Sequence, residues 1–122
     1  MQYRRRLLLG LPLALCLAAC SRKPRQTPLP AGAKVLAFGD SVTYGTGAAP
    51  GEDWPSRLAK LTGWQIENAG IPGDTAQAGK SRLPELLATH QPQLVIVEIG
   101  GNDFLRRRPA AEVKEDLRQI LR

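Results

Sequence analysis

Three times along this chain a short apolar run stops at a glycine-bearing loop, and each time a helical pattern follows. Val35 to Phe38 runs into Gly39, Trp64 to Asn68 into Ala69–Asp74, and Leu94 to Ile99 into Gly100–Asp103. Short apolar runs bounded by turn residues suit strands, and an unbroken run suits one buried on both faces. Gly39 to Asp53 reads as a loop, after which Trp54-Pro55 opens a helix that Gly63 ends. Proline fits the first helical turn, where its missing N–H has no intrahelical partner. Leu58 and Leu61 are that helix's expected core face. Thr75 can cap the next helix, which runs to about Thr89 with Leu83, Leu86 and Leu87 as its buried stripe. Pro84 is expected to kink or restart it. A third helix spans Ala110 to Leu121, with Val113, Leu117, Ile120 and Leu121 on one face. Its acids, Glu112, Glu115 and Asp116, lie toward the N-terminal half, where the helix dipole favours them. The order β-α-β-α-β-α implies parallel strands with right-handed crossovers. All three glycine-bearing loops then meet at the C-terminal edge of one sheet, where open α/β sheets bind ligands.

The length, 122 residues, allows at most one modest domain. The formal charge of +6 suggests a nucleic-acid binder only until it is located. Arg4, Arg5, Arg6, Arg22, Lys23 and Arg25 fall within residues 1–33, which contain no acid. Residues 34–122 are balanced, so the globular part has no charge excess to draw phosphate backbones, and no nucleic-acid partner is expected. Arg106-Arg107-Arg108 is the one local basic run, and a solvated loop accounts for it without an anion.

Residues 1–19 read as an export signal: a basic start followed by the apolar run Leu7–Ala19, too short to span a bilayer comfortably. Tyr3-Arg-Arg-Arg-Leu-Leu loosely resembles a twin-arginine signal. Leu17-Ala18-Ala19-Cys20 resembles a bacterial lipobox, which implies lipidation of Cys20 and a membrane held through acyl chains. Ser21 and Arg22, with no Asp after the cysteine, are similar to outer-membrane sorting residues of Gram-negative lipoproteins. The expected location is therefore a membrane facing the periplasm. Residues 20–33 are polar and proline-bearing and read as a flexible tether, with the domain at 34–122. Cys16 lies in the leader, so the domain has no cysteine for a disulfide or a thiolate metal site. Neither a metal nor a cofactor is expected.

The residues at the sheet edge suit acyl transfer, which needs a nucleophile, a base and donors for the developing oxyanion. Ser41 offers a hydroxyl directly after Gly39-Asp40. The backbone N–H groups of Ser41 and Gly73 are candidate donors, and the Asn102 amide can complete the set. Taken singly, each has a plainer reading: Gly-Asp-Ser as a turn or helix cap, Gly73 as a turn glycine, Asn102 as an Asx-turn or cap.

Together, Phe38-Gly39-Asp40-Ser41, Asn68-Ala-Gly-Ile-Pro-Gly73-Asp74-Thr75 and Gly100-Gly101-Asn102-Asp103 resemble the first three sequence blocks of the SGNH (GDSL) hydrolase superfamily. The runs Gly73–Gly79 and Leu83–Asp103 are similar to its periplasmic acyl-CoA thioesterase, lysophospholipase and arylesterase branch. The resemblance covers about residues 34–122. It implies a three-layer α/β/α, flavodoxin-like fold with a parallel sheet, of which about three β-α units are here. It also implies Ser41 as nucleophile, and Ser41, Gly73 and Asn102 as oxyanion donors. Asp40, Asp74 and Thr75 are expected beside the substrate, with Asp40 steadying the loop. The implied substrates are small acyl esters or thioesters.

The family's closing Asp-x-x-His block has no counterpart in the sequence, whose one histidine is His90. His90 precedes the third strand, so it is expected at the far edge of the sheet, about 20 Å from Ser41. The expectation is a chain cut before that block and impaired in turnover, a monomer when full length. The alternative is a catalytically inactive lipoprotein that only binds acyl or glycan ligands. The family's strand order puts the first strand between the second and third. That leaves the apolar third strand with a bare, aggregation-prone edge. Trp54 and Leu105 are candidates to border an acyl pocket, with a core role preferred for Trp54.

Overall fold

The computed structural model describes residues 27–122. The expected leader, the lipobox-like Leu17–Cys20 and the first part of the expected tether lie outside the described residues. Three strands, β1 (Lys34–Gly39), β2 (Gln65–Gly70) and β3 (Leu94–Glu98), form a parallel sheet in the order β2-β1-β3. This is the strand order expected. β1 is central and buried from Val35 to Gly39, as its unbroken apolar run requires. The register sets Gly39 level with both Gly70 and Glu98, so the three strands end together at one edge.

Five helices connect and follow the strands: α1 (Ser41–Tyr44), α2 (Trp54–Thr62), α3 (Ala76–His90), α4 (Gly101–Leu105) and α5 (Ala110–Ile120). The chain steps from β1 to β2 through α2, then crosses back to β3 through α3. Right-handed crossovers in opposite directions put those two helices on opposite faces, giving three layers. Leu36 and Phe38 face α3 and α5 and form a core with Ala69, Ala76, Leu83 and Ile120. Val95, Val97, Val113 and Leu117 pack around it. Phe38 is fully buried, so truncating it to alanine costs about 3–5 kcal/mol.

Several local expectations are corrected. Residues 39–53 are not all loop: Ser41–Tyr44 forms one helical turn, capped by Asp40 and ended by Gly45 at φ 101°. Likewise Gly101–Leu105 is a short helix. A single turn is too short to show a periodic apolar stripe. Leu61 is 84% exposed, and Pro55 takes the buried place on α2. Leu121 is exposed as well. α3 neither stops nor restarts at Pro84, which lies on its exposed side, where solvent can satisfy the carbonyl that loses its partner. Thr75 caps α3 as expected, accepting from the Ala78 N–H at 3.3 Å. Backbone contacts extend upstream of β1: Gly32 donates to the Gly63 carbonyl, and the buried Ala33 accepts from Gln65.

Among the described residues no helix is long and apolar enough to cross a membrane. No group of three His, Cys, Asp or Glu there could hold a metal ion.

Candidate active site

Asp40 is buried at the end of β1, and its carboxylate accepts the Val42 N–H at 3.0 Å. That bond starts α1, and Ser41 becomes its first residue. α1 sits directly on the sheet edge because β2 ends in glycine. A Cβ on Gly70 would lie 2.7 Å from both the Thr43 carbonyl carbon and the Tyr44 Cα. Asn68 fastens the same contact, donating to the Thr43 carbonyl at 2.8 Å.

The second loop carries Gly73 at φ 84°, a left-handed conformation that glycine adopts freely. Its carbonyl accepts from Arg106 at 2.9 Å. The next carbonyl, of Asp74, accepts from the Asn102 amide at 2.9 Å. The same Asn102 nitrogen faces Asp40 Oδ2 at 3.4 Å. One side chain therefore ties the residue before Ser41 to the residue after Gly73, across 62 positions in sequence on one side and 28 on the other. The three glycine-bearing loops meet as the topology requires. The backbone N–H groups of Ser41 and Gly73 have no acceptor among the described residues.

Asp74 pairs with Arg82 at 2.7 Å. Thr75 is buried as the α3 cap. With the Asp40 cap, the three residues expected beside substrate thus all hold protein partners. Leu105 is 76% exposed on the α4 side, and Trp54 is half-buried at the start of α2. His90 ends α3 beside Lys34, Gln65 and Ile66, at the opposite edge of the sheet from Ser41.

Some contributors were not apparent in the sequence. Thr43 donates to Glu98 Oε2 at 2.9 Å, which pins α1 to the end of β3. Burial pushes the Glu98 carboxyl up from its ordinary range; the Thr43 bond opposes this, and the charge of Asp40 adds to it. A carboxylate inside the apolar run Leu94–Ile99 was the available sign. Asp103 is 1% exposed: one oxygen accepts the Ala76 N–H at 2.8 Å and the other pairs with Arg108 at 2.6 Å. Arg108 also reaches Asp116 at 3.1 Å. Two of the three arginines in the basic run are therefore internal ties. Lys80 foremost, with Arg108, holds the Asp116 carboxyl below the usual range.

Residues 37–122 match the model of the GDSL-like lipase/acylhydrolase family. Thioesterase 1/protease 1/lysophospholipase L1 of Escherichia coli K12 is 44% identical over 91 residues, which cover 71% of this chain and 43% of that protein. An arylesterase of Vibrio mimicus is 38% identical over 119 residues, covering 93% of this chain and 56% of the relative. The crystal structure of the SGNH-hydrolase family esterase AlinE4 superposes with a TM-score of 0.71 at 39% identity, covering 77% of this chain and 53% of that one. The chain thus spans about half the length of the relatives it matches. With the family's residues matched from β1 to the last residue, and its sheet order and loop arrangement reproduced, this chain belongs to the GDSL-like lipase/acylhydrolase family.

Proposed function

We propose that this chain carries the nucleophile and oxyanion donors of a serine hydrolase acting on small acyl esters or thioesters. The observation that carries the reading is the Asn102 amide between Asp40 Oδ2 and the Asp74 carbonyl, which gathers Ser41, Gly73 and Asn102 into one cluster. Ser41 Oγ attacks the acyl carbonyl. Negative charge then grows on the carbonyl oxygen, and the Ser41 and Gly73 N–H groups receive it, joined by the Asn102 N–H that gives up its long 3.4 Å contact with Asp40 Oδ2. The oxygen or sulfur of the alcohol or thiol leaves, and water releases the acyl group from Ser41. The Ser41 proton passes through water to the leaving oxygen or sulfur, because His90 lies at the opposite edge of the sheet. In these 122 residues the attack has no imidazole partner, so turnover is slow.

Relatives with esterase, thioesterase and lysophospholipase names support the substrate class. Anchoring through Cys20 at a periplasm-facing membrane, of outer-membrane type, belongs to the same proposal and rests on the lipobox-like Leu17–Cys20. Incorporation of a clickable palmitate analogue, lost in Cys20→Ala, tests the anchor; equal incorporation in both refutes it.

The catalytic reading is tested with a fluorophosphonate probe and intact-mass detection. One adduct is expected, absent in Ser41→Ala and formed about 100-fold more slowly in Asn102→Ala, the usual loss for one oxyanion donor. No adduct even after prolonged exposure to excess probe, or an adduct that survives Ser41→Ala, overturns it in favour of a binding protein.

A further inference from the structure

We propose that Arg82 is a positioning residue that holds the Ser41 loop and the Gly73 loop in one fixed relation. It projects from α3, outside the three motif blocks, and its guanidinium reaches both loops. Nε donates to Asp74 Oδ2 at 2.7 Å, one residue after Gly73. Nη2 donates to the Gly39 carbonyl at 2.9 Å, two residues before Ser41. The same Gly39 carbonyl accepts the Ile71 N–H at 3.0 Å, so Arg82 braces the point where the second loop already touches the first. The guanidinium carbon stands 4.4 Å from the centroid of the Phe38 ring. The side chain is 20% exposed and that of Asp74 12%, so water competes weakly for these bonds.

The three contacts demand arginine. A planar fork can donate along two directions while its face stacks on an aromatic ring. Lysine brings the charge without the fork or the face. A neutral amide can keep at most part of the set. A small shift of one loop against the other would move the Gly73 N–H away from the oxygen it is to receive, and displacements of about 1 Å can cost about 100-fold in rate. This role rests on the reading of Ser41 and Gly73 given above, so the test separates the two.

Amide hydrogen exchange is followed on the wild-type chain, Arg82→Lys, Arg82→Ala and a control, Lys80→Ala, which removes a different ion pair from the same helix. Both Arg82 variants should speed exchange of Tyr44, Gly45, Ile71 and Asp74 together by about tenfold or more, the loops opening locally with the core intact. Leu36 and Ala37 should stay protected, and the control should leave both loops unchanged. Ethylguanidinium at millimolar concentration should restore protection to Arg82→Ala and not to the control. Phosphonate labelling of Ser41 should fall about 100-fold in Arg82→Ala and recover with the same additive. Loops that respond separately or not at all, or labelling unchanged while the loops open, overturns the assignment. If Arg82→Ala does not fold, Arg82→Lys gives the same readings. Failure of the wild type to label defeats the catalytic reading, while the exchange pattern still decides whether Arg82 couples the loops.

Discussion

Gly70→Ala tests whether the backbone contact beneath α1 sets the position of Ser41. A Cβ there would lie 2.7 Å from two backbone carbons of α1, and closer still to the Tyr44 nitrogen, where ordinary contact begins at 3.4 Å. Backbone atoms cannot rotate aside as a side-chain tip can. α1 must therefore back away by roughly 1 Å, or β2 must bend, in a region packed like a crystal. Overpacking of this kind costs about 1–3 kcal/mol of stability. The same displacement carries Ser41 off its line to the oxyanion donors, for about 100-fold in reactivity. Urea unfolding measures the first effect and fluorophosphonate labelling of Ser41 the second. Leu83→Ala serves as a control. It empties part of the core at a cost of about 2–5 kcal/mol without touching α1. The expected result is a large loss of labelling in Gly70→Ala and nearly full labelling in folded Leu83→Ala. Equal labelling in both would show that the β2–α1 contact stabilises the fold without setting the nucleophile.

Three further outcomes follow from the same contacts. Glu98 binds its proton more tightly folded than unfolded, so its contribution to stability falls as pH rises from its ordinary 4.5 through its raised folded value; Glu98→Gln should flatten that part of a urea-midpoint profile, and an unchanged slope would refute the coupling. Asp103→Ala strips the partner of both the Ala76 N–H and Arg108. It should cost about 3 kcal/mol by chemical denaturation, and a loss under about 1 kcal/mol would show that Asp116 and water replace it. The outer edge of β3 has no partner strand among the described residues, and exposed Phe104 and Leu121 line an apolar groove nearby. The 122-residue chain should therefore self-associate in sedimentation velocity; a monomer with a sharp cooperative melt would refute this.

The sequence by itself determined the layout. Apolar runs ending in glycine loops prescribed three parallel strands, and the right-handed crossover rule then delivered Ser41, Gly73 and Asn102 to one edge. Thr75 was legible as a cap because capping is settled within three residues. His90 was legible as remote because it precedes the strand that Asn102 follows. What the sequence could not show were the bonds between residues far apart in the chain. Arg82 lies outside the motif blocks, and nothing near it in sequence announces a carbonyl 43 positions upstream. Arg106 and Arg108 read as a solvated basic run, yet they close on Gly73, Asp103 and Asp116. Leu61 matched the helical stripe and still faces solvent, while Pro55 takes the covered place on α2. The bonds between the loops follow from the register that levels Gly39 with Gly70 and Glu98. Only when three strand ends stand side by side do their loops share donors and acceptors. That alignment is a property of the folded sheet, and no local stretch of sequence contains it.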